Sequence, residues 1–261
     1  MGRRSVGVKR LQFMPSLLQL RQAMILLAID TSTDYCSLAL DCGGRVYSRH
    51  VRAGNTHSEI ALRLLDELLA EAGIGFSAVQ GIAYGEGPGS FTGLRIGTGI
   101  VQGLALARGL PVAGASTLEA LAESAHGADG STRVIACLDA RMGEVYHAAY
   151  VRQGAVRRAD SDESEDWCIE RAPSLCTPGA APAVQGEGWT GAGSGFAAFG
   201  EALGARYGAQ LAARQPAAAP TAAALLRLAR ARLERGEGGD AASAVPIYLR
   251  DKVALKTTER V

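Results

Sequence analysis

The sequence predicts an α/β fold built from two similar lobes, and three observations carry that prediction. An apolar strand ending in aspartate, a short turn, a second strand, a glycine turn and a third strand occur in that order twice, about 110 residues apart. Stretches of strand periodicity alternate with stretches of helical periodicity, the pattern of layered α/β domains. With 261 residues, 48% hydrophobic and 20% charged, the chain can bury a substantial core.

Residues 25–29 are a continuous apolar run ending at Asp30, as expected of a strand buried on both faces. Residues 31–34 form a polar turn, 36–40 a second strand, 41–44 a hairpin turn and 45–51 a third strand. Over 57–72 the positions Ile60, Leu62, Leu64, Leu65, Leu68 and Leu69 follow a helical period, and Gly73 stops the helix. A strand at 79–84 delivers the loop Gly85-Glu86-Gly87-Pro88-Gly89-Ser90 to a helix over 91–108; a strand at 112–115 and a helix at 117–125 follow. The second unit opens with a strand at 134–138 ending at Asp139. A turn at 140–143, an alternating strand at 145–150, a turn at Gly154 and a third segment at 155–158 continue it.

Residues 159–195, with five acids in 160–166 and Pro173, Pro178 and Pro182 beyond, read as an acidic, solvated connection. Residues 222–235 predict a helix whose apolar face carries Leu225, Leu226, Leu228 and Leu233, and 246–256 a strand-like tail with a basic end. The expected organisation is therefore a first lobe over 24–126, with the 221–236 helix packed on it, and a smaller second lobe over 127–220. A C-terminal tail covers 237–261. Residues 1–23 are a basic extension, read as a mis-called start or a disordered arm.

Charge and cysteine usage exclude several function classes. Residues 1–23 hold five basic side chains and no acid, which leaves 22 basic against 26 acidic beyond them, a net of −4. An acidic body repels phosphate backbone, so direct contact with nucleic acid is expected only through a partner. The five cysteines form no C-x-x-C and fit reduced thiols in a cytoplasm, and no apolar run is long enough to span a membrane.

The glycine-rich loop and the helix after it are the strongest chemical feature. A strand feeding such a loop to a helix N-terminus aims free N–H groups at one point, which suits a phosphate. The loop is neither a Walker A motif, since no lysine lies between Lys9 and Lys252, nor a Rossmann fingerprint, since Ser90 stands at the third glycine position. Gly93, Gly97, Gly99 and Gly103 lie inside the helix, each costing about 1 kcal/mol relative to Ala. The pair Gly93/Gly97 is expected against the chain's own sheet; Gly99/Gly103 is left open between the sheet and another subunit. Asp30, Thr31 and Ser32, with Asp139 at the matching strand end, either face one cleft and hold a nucleotide cation or cap their own turns. Gly87, Gly89, Ser90 and Gly93 complete that candidate nucleotide or phosphate site. No G-x-S-x-G, H-E-x-x-H or nucleophile–base pairing is present, so no catalytic residue and no metal ligand is assigned.

Four blocks together resemble the TsaB (YeaZ) family of bacterial proteins. They are Leu27-Ala28-Ile29-Asp30-Thr31-Ser32-Thr33, Gly87-Pro88-Gly89-Ser90-Phe91-Thr92-Gly93-Leu94-Arg95, Leu138-Asp139-Ala140-Arg141-Met142-Gly143-Glu144-Val145-Tyr146 and Pro246-Ile247-Tyr248-Leu249-Arg250. The resemblance implies two tandem ribonuclease-H-like lobes, the fold of the actin, sugar-kinase and heat-shock-chaperone superfamily. It further implies a non-catalytic subunit of the complex that places threonylcarbamoyl on the adenosine beside the anticodon of tRNAs reading codons that begin with A. The implied partners are a TsaD-type transferase subunit, a TsaE-type ATPase subunit and, alone, a second copy of the chain, with tRNA met only indirectly. The implied interface takes in His57, Leu64 and Leu68 of the first helix and Arg95, Gly99 and Gly103 of the second. Thr117 and Leu121 stand where the transferase relative carries two metal-binding histidines. ATP or ADP is a cofactor only within the assembled complex. The alternatives are a nucleotide-binding phosphotransferase and a glycoprotease-like hydrolase.

Overall fold

The structure is a computed structural model that describes residues 24–152 and 167–250. Its first sheet holds β1 (Leu26–Asp30), β2 (Tyr35–Cys42), β3 (Arg45–Arg52), β4 (Gly81–Gly87) and β5 (Val112–Ser116) in the order β3-β2-β1-β4-β5. Its second holds β6 (Arg133–Arg141), β7 (Glu144–Arg152), β8 (Trp167–Cys176), β9 (Trp189–Ala192) and β10 (Leu211–Gln215) in the order β10-β9-β6-β7-β8. Read from the edge, both orders are the same: three antiparallel strands, then two parallel additions to the first strand. The duplicated sequence pattern is thus a duplicated topology.

The first sheet is covered on both faces. Helix α1 (His57–Ala72) and α2 (Phe91–Arg108) pack on one side through Leu64, Leu65, Leu68, Val101 and Ala105. On the other side, α6 (Ala222–Glu234) lays Leu225, Leu226 and Leu233 against Leu26, Ala28 and Ala83. Helix α3 (Thr117–Asp129) buries Leu118, Leu121 and Ala125 against Val134, Ala136 and Leu138 of the second sheet. Short helices α4 (Ser194–Ala198) and α5 (Gly200–Tyr207) close the far face of that sheet around Trp189, Phe196 and Leu203. Among the described residues no helix is long and apolar enough to cross a membrane.

Two expectations are corrected. The segment at 155–158 lies outside the described residues, and the third strand of the described second sheet is β8. It lies inside the stretch read as a solvated connection. Its pattern was hidden because it is an edge strand carrying Pro173 and paired to β7 through register shifts, where a missing N–H is tolerated. The tail at 246–250 is not a strand. It crosses the molecule with one backbone bond, Ile247 N–H to the Glu86 carbonyl at 2.6 Å.

Candidate functional site

The lobes enclose a cleft of about 640 Å³. Its walls include Ser32 to Tyr35, Arg52 and Ser90 to Thr92 from the first lobe, Leu138 to Met142 and Ser194 from the second, and Tyr248 and Arg250 from the C-terminal tail. The loop that reaches it is shaped by close packing. A Cβ on Gly89 would strike the Ser32 carbonyl, and one on Gly93 the Thr31 carbonyl. These glycines therefore let the α2 N-terminus sit directly on the β1–β2 turn. Ser90 caps that helix, its Oγ accepting from Gly93 N–H at 3.2 Å, while its own N–H donates to the Ser32 carbonyl at 2.7 Å.

The sequence-predicted nucleotide residues separate into two groups. Ser32, Gly89, Ser90 and Asp139 border the cleft. Asp30, Thr31, Gly87 and Gly93 do not. Asp30 is buried against Gly85, its carboxylate accepting from Ser32 N–H at 3.2 Å and Ser32 Oγ at 3.0 Å. Burial pushes its carboxyl up to about 6, against the lowering effect of the Ser32 hydrogen bonds. Thr31 Oγ1 donates to the Gly93 carbonyl at 2.7 Å. Of the two alternatives left open for the aspartates, Asp30 follows the second: it caps its turn and points inward. Asp139 does reach the cleft, but accepts from Arg141 N–H at 2.8 Å and lies 3.2 Å from Arg141 Nη1. Among the described residues, no three His, Cys, Asp or Glu side chains converge on a metal-sized space. Thr117 and Leu121 are both fully buried in the α3 contact with the lobes.

The predicted interface residues also separate. Leu64 and Leu68, 3% and 0% exposed, belong to the core, and His57 is buried at the start of α1, where burial lowers its imidazole pKa. The periodic set read over 57–72 is corrected here: Ala61, Leu64, Leu65 and Leu68 lie on one face, and Leu62, counted with them, falls out of phase. Leu62 is 51% exposed and Leu106, on α2, 78% exposed. Gly99 and Gly103 lie beside Leu106 on the outer face of α2, with nothing within 4 Å of an added Cβ at either. Gly93 and Gly97 meet the chain's own Thr31 instead, as expected for that pair. Arg95 is exposed, but its guanidinium lies over the Phe91 ring at 3.8 Å and its Nε donates to Tyr248 Oη at 3.0 Å.

A buried acid not singled out in the sequence ties the lobes together away from the cleft lining. Glu123 of α3 meets Arg152 of β7 at 2.5 Å, Trp167 Nε1 of β8 at 2.8 Å and Arg227 of α6 at 2.6 Å. Burial pushes its pKa up, but those hydrogen bonds and charges outweigh it and hold the carboxyl below its ordinary value.

Comparison with known proteins accords with this geometry. The family described as TsaD, tRNA N6-adenosine threonylcarbamoyltransferase, matches residues 51–257. An Escherichia coli (strain K12) protein named tRNA threonylcarbamoyladenosine biosynthesis protein TsaB is 38% identical over 237 residues, 89% of this chain and 97% of its own. The chain belongs to the TsaB family. A Haemophilus influenzae TsaB is 36% identical over 236 residues, covering 90% of this chain and 97% of its own. The solved structure of YeaZ from Pseudomonas aeruginosa superposes with a TM-score of 0.76 at 37% identity, over 87% of this chain and all of that one. TsaB-family membership and the duplicated 3-2-1-4-5 sheets together place the fold in the two-lobed class that the sequence predicted.

Proposed function

We propose that this chain is a non-catalytic subunit of tRNA threonylcarbamoyladenosine biosynthesis that works in the cytoplasm by pairing with a TsaD-type transferase subunit. The full-length likeness to proteins named for that biosynthesis supports the pathway. The observation that carries the pairing is the outer side of α1 and α2, where Leu62 is exposed on α1 and exposed Leu106 follows the side-chain-free surface of Gly99 and Gly103 on α2. A helix face without side chains lets another helix approach closely, and large exposed leucines beside it supply apolar area. The same face serves a second copy of the chain when the partner is absent, and a TsaE-type ATPase joins the assembled pair.

Light scattering on the full chain mixed with the transferase subunit tests this. A one-to-one complex is expected, and Gly103→Trp or Leu106→Glu abolishes it while leaving the melting temperature within a few degrees. A complex that survives both substitutions places the interface elsewhere.

A second reading, ATP or ADP held in the cleft of the assembled complex, draws on the Ser32, Ser90 and Asp139 lining. Calorimetric titration of magnesium-ATP into the chain, alone and with its partner, measures it; heat with neither removes it.

A further inference from the structure

We infer that residues 244–250 form a strap that clasps the two lobes along the cleft wall, with Arg250 as the clasp. The strap begins anchored in the first lobe. Ala244 is buried in the core, and its carbonyl accepts from Gln102 Nε2 at 2.8 Å. Val245 N–H donates to Tyr84 Oη at 3.2 Å and Ile247 N–H to the Glu86 carbonyl at 2.6 Å. Gly87 admits this crossing, since a Cβ there would lie 2.5 Å from the Ile247 carbonyl oxygen. The Tyr248 ring then packs on Phe91 at 5.2 Å and takes the Arg95 hydrogen bond.

Two residues later the partners change lobe. Arg250 Nη2 donates to the Ala140 carbonyl at 3.2 Å and to the Glu144 carboxylate at 2.5 Å, and Nη1 lies 2.8 Å from Met142 Sδ. The Arg250 side chain is 13% exposed and that of Glu144 32%, so the pair is half-buried and only partly screened.

The turn it grips is held in a demanding shape. Arg141 and Met142 both adopt left-handed backbone, at φ 63° and 56°, although each carries a Cβ. Such a turn persists only where its surroundings over-determine it. Here Asp139 binds the Arg141 N–H, and Arg250 binds on both sides of the turn.

Beyond the packing of α3 on the second sheet and the exposed Arg141–Asp34 pair, two polar ties of different character join the lobes. Glu123 is deeply buried with three partners from three elements. Arg250, in the cleft wall, hangs on a strap without regular structure. Opening should begin at Arg250 and pivot about Glu123, so the strap gates whatever enters the cleft. This gating does not depend on any particular partner.

Hydrogen–deuterium exchange of the full chain, read by mass spectrometry, tests the clasp in Arg250→Met and, independently, Glu144→Gln. Both variants are expected to speed exchange at residues 139–144 and 245–248 roughly tenfold or more, with the β1 and β6 amides unchanged. The double variant should add little to Arg250→Met alone, because that substitution already removes the contact that Glu144→Gln breaks. Unchanged exchange at 139–144, or an equal rise across both sheets, would overturn the clasp, the latter by reducing Arg250 to a contributor to global stability.

Discussion

Asp30→Asn isolates the cost of holding a carboxylate inside the first lobe. In the fold the Asp30 carboxyl titrates at about 6, because burial removes water from the charged form, against an ordinary value of 3.8. Between those values the folded state binds the extra proton, so stability falls as pH rises and the full penalty is present above about 6. The difference corresponds to about 3 kcal/mol at neutral pH. Asparagine keeps the geometry: its amide oxygen accepts from Ser32 N–H, and its NH₂ donates to Ser32 Oγ, which accepts as readily as it donates. Urea denaturation of both proteins from pH 4 to 8 reads the effect as a difference, so other titrating groups cancel. The variant should match the wild type near pH 4 and exceed it by about 3 kcal/mol at pH 7. A difference that stays constant over that range would refute the argument, since an uncharged or solvated Asp30 has no pH-dependent term.

His147 bears the opposite sign. Burial first, then the charges of Arg206 and Arg171, lower its value from 6.5 to about 4, so it stays neutral beside Tyr207 Oη at 2.7 Å. Its contribution is complete above pH 6.5 and is lost as pH falls through 4, by about 3 kcal/mol; His147→Gln should flatten the acid limb of the stability profile by that amount. Glu123→Gln removes the buried carboxylate charge that meets both Arg152 and Arg227 and should cost about 3–5 kcal/mol in urea unfolding, whereas Glu67→Gln, on the outer side of α1, should cost less than about 1. The glycines of α2 predict opposite outcomes in thermal melts. Gly93→Ala meets the Thr31 carbonyl and should destabilise by about 1–3 kcal/mol, while Gly99→Ala meets nothing and should stabilise by about 0.5–1.

Legibility followed locality. Helices α1 and α2 begin and end where their caps and periods place them, because Ser90, Gly73 and Gly109 act on their own neighbours. The duplication was readable for the same reason: each strand–Asp–turn–strand unit is contiguous. Strand β8 was not, because an edge strand with a proline and a shifted register carries no clean alternation. Leu64 and Leu68 were assigned to an interface although their spacing with Ala61 and Leu65 marks the core face, and the out-of-phase Leu62 was the better signal.

The sequence by itself determined the two-lobed α/β class, the family and the glycine helix, since period, caps and motif strings depend on residues near each other in the chain. Only the tertiary structure decided which way Asp30 points and where Arg250 ends. Each of those depends on what a distant segment brings within a few ångströms: Gly85 against Asp30, and the β6–β7 turn 106 to 110 residues before Arg250. Such pairings are properties of that assembled neighbourhood, and no local pattern carries them.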